Sequence, residues 1–267
     1  MNNNESLAEI LTAVRTKVPL VHAITNYVTI NDCANVLLSY GASPAMCESC
    51  DEVYDFAKLA SSLYINLGTL TREQEQSVLL AAESAKKHNI PVVLDPVACG
   101  AIPRKLEVIG KIQEVGRIDV IKGNIGEIKF LAGVDSLTRG VDSLDTGDGA
   151  LEACKTVASK YGCVVAATGA EDYITDGTRS AVIRNGTELF TKITGAGCMT
   201  GAICAGAAGA CGDMFLSTVS AILSMNVAGE DAAKNASLPG SFRVNFIDSV
   251  YSLTPEKLIK EGNVEWI

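Results

Sequence analysis

Apolar positions along the chain follow two alternating rhythms. Leu7, Ile10, Leu11 and Val14 recur at three- and four-residue intervals, one face of a helix, and predict a helix over 7–18. Further helices are predicted over 31–39, from Thr71 to about His88, and over 149–161. The second of these opens on Thr71-x-x-Gln74, the pattern of a capping box. Between the helices lie short, nearly continuous apolar runs at 19–24, 63–67, 91–94 and 164–167, and another that ends on Val120-Ile121. Runs of that length without polar alternation suit strands buried on both faces. The alternation of strand and helix predicts an α/β fold with a mostly parallel central sheet covered by helices on both faces. Between 173 and 192 the pattern shifts to short strands broken at Asp176-Gly177 and Asn185-Gly186, which read as hairpins. After Gly195 the chain reads as helical to about Tyr251. No linker, low-complexity tract or internal repeat interrupts it, so a single domain over 1–267 is expected.

In an open parallel sheet, ligands bind beyond the carboxyl ends of the strands. Asp95, Lys122, Asn124 and Thr168 all fall at predicted strand ends. The pattern across four ends is more specific than any member of it. Asp95 alone reads equally well as a turn residue, and Asn124 alone reads better as the N-cap of the next helix.

The strongest local signal is Thr194-Gly195-Ala196-Gly197-Cys198, directly before a helix rich in Gly and Ala. Two glycines let successive backbone N–H groups turn toward one point, and the helix N-terminus adds its unpaired donors and partial positive charge. Such a turn can hold the oxygens of a phosphoryl group in transfer. It is neither a Gly-x-x-x-x-Gly-Lys-Ser/Thr loop nor a dinucleotide fingerprint, since it stands late in the chain with helix after it. The plain alternative is a glycine turn needed only for packing.

Composition narrows the partners. The net charge of −9 argues against nucleic acid and anionic membranes. Hydrophobic residues at 48% allow a large core. Nine scattered cysteines and an opening of Met1-Asn2-Asn3-Asn4-Glu5 fit a reduced, cytoplasmic setting. The small-residue stretch 195–212 has a Gly197-x-x-x-Gly201 spacing, but Gly and Ala gain little in lipid, and a buried helix is expected there.

Gly-Ala-Gly-Cys at 195–198, with Asn124-x-x-Glu127 upstream, resembles the ribokinase-like superfamily of small-alcohol kinases. Most of those kinases carry Asp where this chain has Cys198. Cysteine there, together with His22-Ala23-Ile24-Thr25-Asn26 and Gly41-Ala42-Ser43-Pro44-Ala45-Met46, resembles the hydroxyethylthiazole kinase family. Asn66-Leu67-Gly68-Thr69-Leu70, Asp95-Pro96-Val97, Gly123-Asn124, Thr168-Gly169 and Gly240-Ser241-Phe242 extend the resemblance from about His22 to Tyr251. It implies a ribokinase-like fold and transfer of phosphate from ATP to a thiazole alcohol. Cys198 would be the catalytic base, and Gly195, Ala196, Gly197 and Cys198 the anion hole. Met46, Gly195 and Asn26 would bind the thiazole. Lys122 and Thr168 would contact ATP, and Asp95 and Glu127 would organise Mg²⁺. The resemblance also implies a homotrimer with pockets at subunit interfaces.

Two positions depart from the family pattern. Lys122 stands where arginine is usual, keeping the charge but losing the planar fork. The stretch Ala98-Cys99-Gly100-Ala101-Ile102 also differs from the usual loop after the Asp-Pro-Val motif. Cys47-Glu48-Ser49-Cys50 has metal or redox spacing but lacks a second pair, so loop thiols near the pocket are expected. His22 is expected in the core or pocket wall, and His88 on a solvated helix end. Cys204 and Cys211 read as packing. Three other functions remain open at this level: another alcohol kinase of the superfamily, an ATP-dependent dehydratase acting on a hydrated nicotinamide cofactor, and a non-catalytic sensor.

Overall fold

The computed structural model describes residues 3–134 and 148–267. In chain order the elements are α1 (Asn3–Lys17), β1 (Leu20–Ile24), α2 (Ile30–Tyr40), β2 (Ser43–Ala45), α3 (Val53–Ala57), β3 (Ser62–Asn66), α4 (Arg72–His88) and β4 (Val92–Asp95). There follow α5 (Pro103–Val115), β5 (Val120–Asn124), α6 (Ile125–Leu131), α7 (Ala150–Tyr161), β6 (Val164–Thr168), β7 (Asp172–Thr175) and β8 (Ser180–Ile183). A 3₁₀ turn at Glu188–Lys192 leads into α8 (Ala196–Ala210), α9 (Met214–Asn235), α10 (Pro239–Ser252), α11 (Pro255–Glu261) and β9 (Val264–Trp266).

Among the described residues, nine strands form one sheet in the order β2-β1-β3-β4-β5-β6-β7-β8-β9. The first six are parallel and the last three antiparallel. Helices cover both faces, and the strand residues alternate between two cores. Val21, Ala23, Tyr64, Val93, Val120 and Ala166 join α1, α2, α8, α9 and α10 on one face. Ile24, Leu63, Ile65, Leu94, Ile121 and Val165 join α4, α5 and α7 on the other. This is why the strands read as unbroken apolar runs: neither face meets water, so both parities of the pleat are apolar.

The capping box at α4 forms in both directions. Thr71 Oγ1 accepts the N–H of Gln74 at 3.0 Å, and Gln74 Oε1 accepts the N–H of Thr71 at 3.2 Å. The Gly/Ala-rich α8 lies across the central strands with most of its residues buried. Gly201 makes that approach possible, since a Cβ there would sit 2.7 Å from the Tyr64 hydroxyl. Among the described residues, no helix is long and apolar enough to cross a membrane.

The expected hairpin at Asp176-Gly177 is present, joining β7 to β8. The one expected at Asn185-Gly186 is absent. β8 pairs instead with the C-terminal β9, with Ala181 opposite Trp266. Asn185 works as a bracket for that distant strand: its Oδ1 accepts the N–H of Asn263 at 2.6 Å, and its Nδ2 donates to the carbonyl of Glu261 at 2.9 Å. The local Asn-Gly signal marks a turn correctly, but the partner strand comes from far along the chain.

Candidate active site

Parallel pairing brings the strand ends to one edge at one level. Asn66 lies opposite Asp95, and Asn124 opposite Thr168. Above them stands the first turn of α8. Gly195 adopts φ +85°, a left-handed conformation open to glycine, and a Cβ there would lie 2.8 Å from Thr29 Cγ2. No side chain caps this helix. The N–H groups of Ala196, Gly197 and Cys198 are therefore first-turn donors without intrahelical partners. Gly197 is exposed and Cys198 half-buried.

The floor of this turn is charged. Lys122, expected at a strand end, is buried in the middle of β5, because the strand runs on to Asn124; it donates from Nζ to the carbonyl of Gly197 at 3.0 Å and lies 3.5 Å from Asp95 Oδ2. A Cβ on residue 197 would approach Lys122 Nζ to 3.1 Å. The second glycine of the turn thus also clears space for the ammonium beneath it. Burial raises the Asp95 carboxyl to about 6, with Lys122 opposing the rise and Glu127 adding to it.

Cys198 shows a balance that the sequence does not anticipate. A helix N-terminus lowers a thiol pKa, and that effect alone predicts a ready thiolate. Here burial raises the Cys198 thiol above its usual value, Asp95 adds to the rise, and Thr29, Lys122 and Asn26 only partly offset it. The net direction is upward because desolvation of the sulfur outweighs its hydrogen bonds.

The remaining candidates take these places. Asn26, at the end of β1, is buried and donates from Nδ2 to Cys198 Sγ at 3.2 Å. Met46 follows β2 and packs in the same apolar cluster as Cys198. Thr168 donates its hydroxyl to the carbonyl of Gly123 at 3.2 Å. The next N–H, of Gly169, is held by Asp172 Oδ1 at 3.0 Å. Glu127 forms a capping box with Asn124, its Oε2 accepting the Asn124 N–H at 2.8 Å. Its Oε1 accepts the N–H of Ala98 at 2.7 Å. Ala98 holds φ +57°, so the carboxylate clamps a loop residue in a conformation that costs a non-glycine residue energy. Asn124 is thus a helix cap, as its position alone suggests.

Several contributors escape a reading of sequence motifs. Tyr64 and Asn66, from β3, link Asn26 to Asp95 and to the backbone of Cys198. Lys105, buried on α5, donates to the carbonyls of Gly68 and Val97 at 2.9 and 2.6 Å and ties two site loops together. Asp172 anchors the Gly169 turn. Asn66 lies inside a quoted motif, but Lys105 and Asp172 carry no local signal. Among the described residues, no group of three or more His, Cys, Asp or Glu side chains is placed to cage a metal. Cys47 and Cys50 point to different partners, Glu52 and Ser77, and His22 is buried against Phe56 with Nε2 2.8 Å from the carbonyl of Cys47.

A parallel α/β sheet with a glycine turn and helix N-terminus facing a carboxylate, an ammonium and a polar sulfur defines the class: a ribokinase-like small-molecule kinase. The pyridoxal kinase of Staphylococcus aureus, solved with AMP-PCP and pyridoxal, shares this fold at a TM-score of 0.61 and 13% identity, over 79% of this chain and 88% of its own. A model of the hydroxyethylthiazole kinase family matches residues 11–256, and the chain belongs to that family. A hydroxyethylthiazole kinase of Clostridium kluyveri is 64% identical over 98% of this chain and 97% of its own. Hydroxyethylthiazole kinase 1 of Clostridium botulinum is 63% identical over 96% and 98%. The structure of the hydroxyethylthiazole kinase protein from Pyrococcus horikoshii OT3 superposes with a TM-score of 0.90 at 35% identity, covering 98% of both chains.

Proposed function

We propose that this protein transfers the γ-phosphoryl group of ATP to the hydroxyl of 4-methyl-5-(2-hydroxyethyl)thiazole, a step of thiamine biosynthesis or salvage. The observation that carries the reading is Cys198 Sγ standing at the first turn of α8, beside the N–H donors of residues 196–198. The alcohol oxygen forms a bond to the γ-phosphorus, the bond from that phosphorus to the β,γ-bridging oxygen breaks, and ADP leaves. The alcohol proton passes to the thiolate of Cys198. Burial raises the thiol above its usual value, so the rate is expected to rise with pH. In a loose transition state that proton leaves late, and most of the acceleration comes from charge stabilisation by the turn. Met46 and Gly195 line the thiazole side, and Lys122 and Thr168 the ATP side.

In this reading Mg²⁺ would come with the nucleotide and would supply neutralisation of charge on the phosphate oxygens. The donor set suits it: Mg²⁺ keeps its waters and takes one or two carboxylates beside phosphates. Asp95 is the buried carboxylate that would hold it. Glu127, whose two oxygens already accept backbone N–H groups, would act through water.

The same reading makes the protein a cytoplasmic homotrimer with pockets shared between subunits. Tyr27 and Val28, next to Asn26, are exposed, as are Leu38 on α2 and Val244 and Tyr251 on α10. These apolar side chains are what a neighbouring subunit would cover. Nine free thiols suit a reducing compartment. A dehydratase or another alcohol kinase of the same fold is not favoured, because the relatives at 63–64% identity are hydroxyethylthiazole kinases. The test is ADP release with the thiazole alcohol, ATP and Mg²⁺, beside pyridoxal as acceptor. Turnover with the thiazole alcohol is expected, and its absence would overturn the reading.

A further inference from the structure

Asn26 commits its side chain inside the protein. Its Oδ1 accepts the backbone N–H of Thr29 at 3.1 Å. Because a backbone N–H can only donate, this bond settles which end of the amide is oxygen. Both Nδ2 hydrogens then point away from Thr29: one to Asn66 Oδ1 at 2.8 Å, the other to Cys198 Sγ at 3.2 Å. Asn66 is oriented by the same device. The N–H of Gly68 donates to its Oδ1 at 3.0 Å, which turns its Nδ2 to the Tyr64 hydroxyl at 2.9 Å. Tyr64 in turn donates to the carbonyl of Cys198 at 2.9 Å. The chain of hydrogen bonds thus begins on the sulfur of Cys198 and ends on its carbonyl. Asn26, Asn66 and Tyr64 are all at most 5% exposed. A buried polar network whose members are all satisfied is stiff, and breaking one link leaves the others unpaired.

We propose that Asn26, oriented by Thr29 and Asn66, is a positioning residue that presents an N–H to Cys198 Sγ and holds the sulfur as a hydrogen-bond acceptor at the mouth of the anion hole. The proposal rests on reading Cys198 as the base. It gives Asn26 a different task from lining the thiazole pocket, since both of its N–H groups are already engaged. Other groups also face the sulfur: Asp95 from β4, Lys122 from β5, Thr29 and Cys33 at the start of α2, and Tyr64 from β3. The Thr29 hydroxyl also hydrogen-bonds the sulfur, and Asn26 differs from it in having an amide fixed in orientation by the backbone.

The experiment measures alkylation of Cys198 by iodoacetamide across pH, resolved by peptide mass spectrometry, together with kcat and KM. It uses the whole protein and its Asn26→Asp, Asn26→Ala and Asn66→Ala variants. A hydrogen bond to a charged acceptor is worth roughly one pH unit, so the alkylation midpoint in Asn26→Ala should rise by about that much. At a pH below the midpoint, kcat should fall about tenfold while KM for the thiazole alcohol stays within about twofold. Asn26→Asp is isosteric, keeps an acceptor for Thr29 and replaces the donor with a carboxylate, so its midpoint should rise further. Asn66→Ala removes the orienting partner of Asn26, along with the bonds of Asn66 to Gly68 and Tyr64, and should move the midpoint part of the way. An unchanged midpoint in Asn26→Ala and Asn26→Asp, with a raised KM, overturns the proposal and returns Asn26 to the pocket wall. If Cys198→Ala keeps wild-type kcat, the base reading fails. The alkylation midpoint would still report whether Asn26 holds the sulfur, so the two failures are distinguishable.

Discussion

Replacing Asp172 by asparagine should reverse its effect on stability between acid and neutral pH. Asp172 is buried at the start of β7. Its Oδ1 accepts the N–H of Gly169 at 3.0 Å, and its Oδ2 accepts Asn226 Nδ2 at 2.6 Å. Burial raises its carboxyl from 3.8 to about 6, because these bonds only partly replace lost water. The folded value exceeds the unfolded one, so between them the native state holds a proton that the unfolded chain has released. The contribution is most favourable below the unfolded value and is lost as pH rises through the folded one. A shift of about two units corresponds to about 3 kcal/mol, of which somewhat over 2 kcal/mol falls between pH 4 and pH 8. The amide of the Asp172→Asn variant would not titrate. It can offer oxygen to only one of the two donors, which leaves the other short at a cost of about 1–3 kcal/mol at any pH. Asp172→Asn should therefore be less stable than the wild type at pH 4 and close to it, or above it, at pH 8. Urea unfolding of both proteins at unit steps of pH checks this. The contributions of other carboxylates cancel in the difference. Parallel stability curves would refute the argument, because they would mean that the carboxyl titrates alike in both states. Asp172→Ala, which also frees Gly169, should raise KM for ATP, whereas Asp172→Asn can keep that bond.

Cys198→Ala should lower kcat by on the order of 10² to 10⁴ while still binding ATP, because the proposed anion hole is backbone. Cys198→Ser should be similarly poor, and Cys198→Asp should keep substantial activity; steady-state kinetics on the three variants checks the ranking. Lys122→Ala removes the charge beneath Gly197 and should raise KM for ATP more than KM for the thiazole alcohol, with Lys122→Arg the milder change in the same titrations. In size exclusion with light scattering, the protein should run as three chains of 28.0 kDa, about 84 kDa in all, and an active monomer would remove the shared-pocket reading.

Much of this molecule was legible in residue order alone, and the reason is local. The helix at Arg72–His88 announces itself through Thr71 and Gln74, three residues apart, and those side chains close the capping box. The buried strands are legible because both faces of the sheet are dry, which forces apolar residues at every position. Asn124 reads as a cap because its partner, Glu127, lies within one turn. The glycine turn before Cys198 is likewise written into adjacent residues.

What the tertiary structure decided depends on pieces distant in the chain. Asn185-Gly186 marks a turn in sequence, yet the strand beside β8 arrives only at Val264–Trp266, and nothing within a few residues could say so. Lys122 sits under Gly197 because β5 and α8 meet edge to end, and the 3.0 Å bond between them spans 75 residues. The state of Cys198 is the sharpest case. Its place at a helix N-terminus is local and favours the thiolate, whereas its burial and its exposure to the field of Asp95 arise only when the strands assemble. Desolvation and long-range charge are properties of the packed chain, and here they outweigh what the neighbouring residues alone would set.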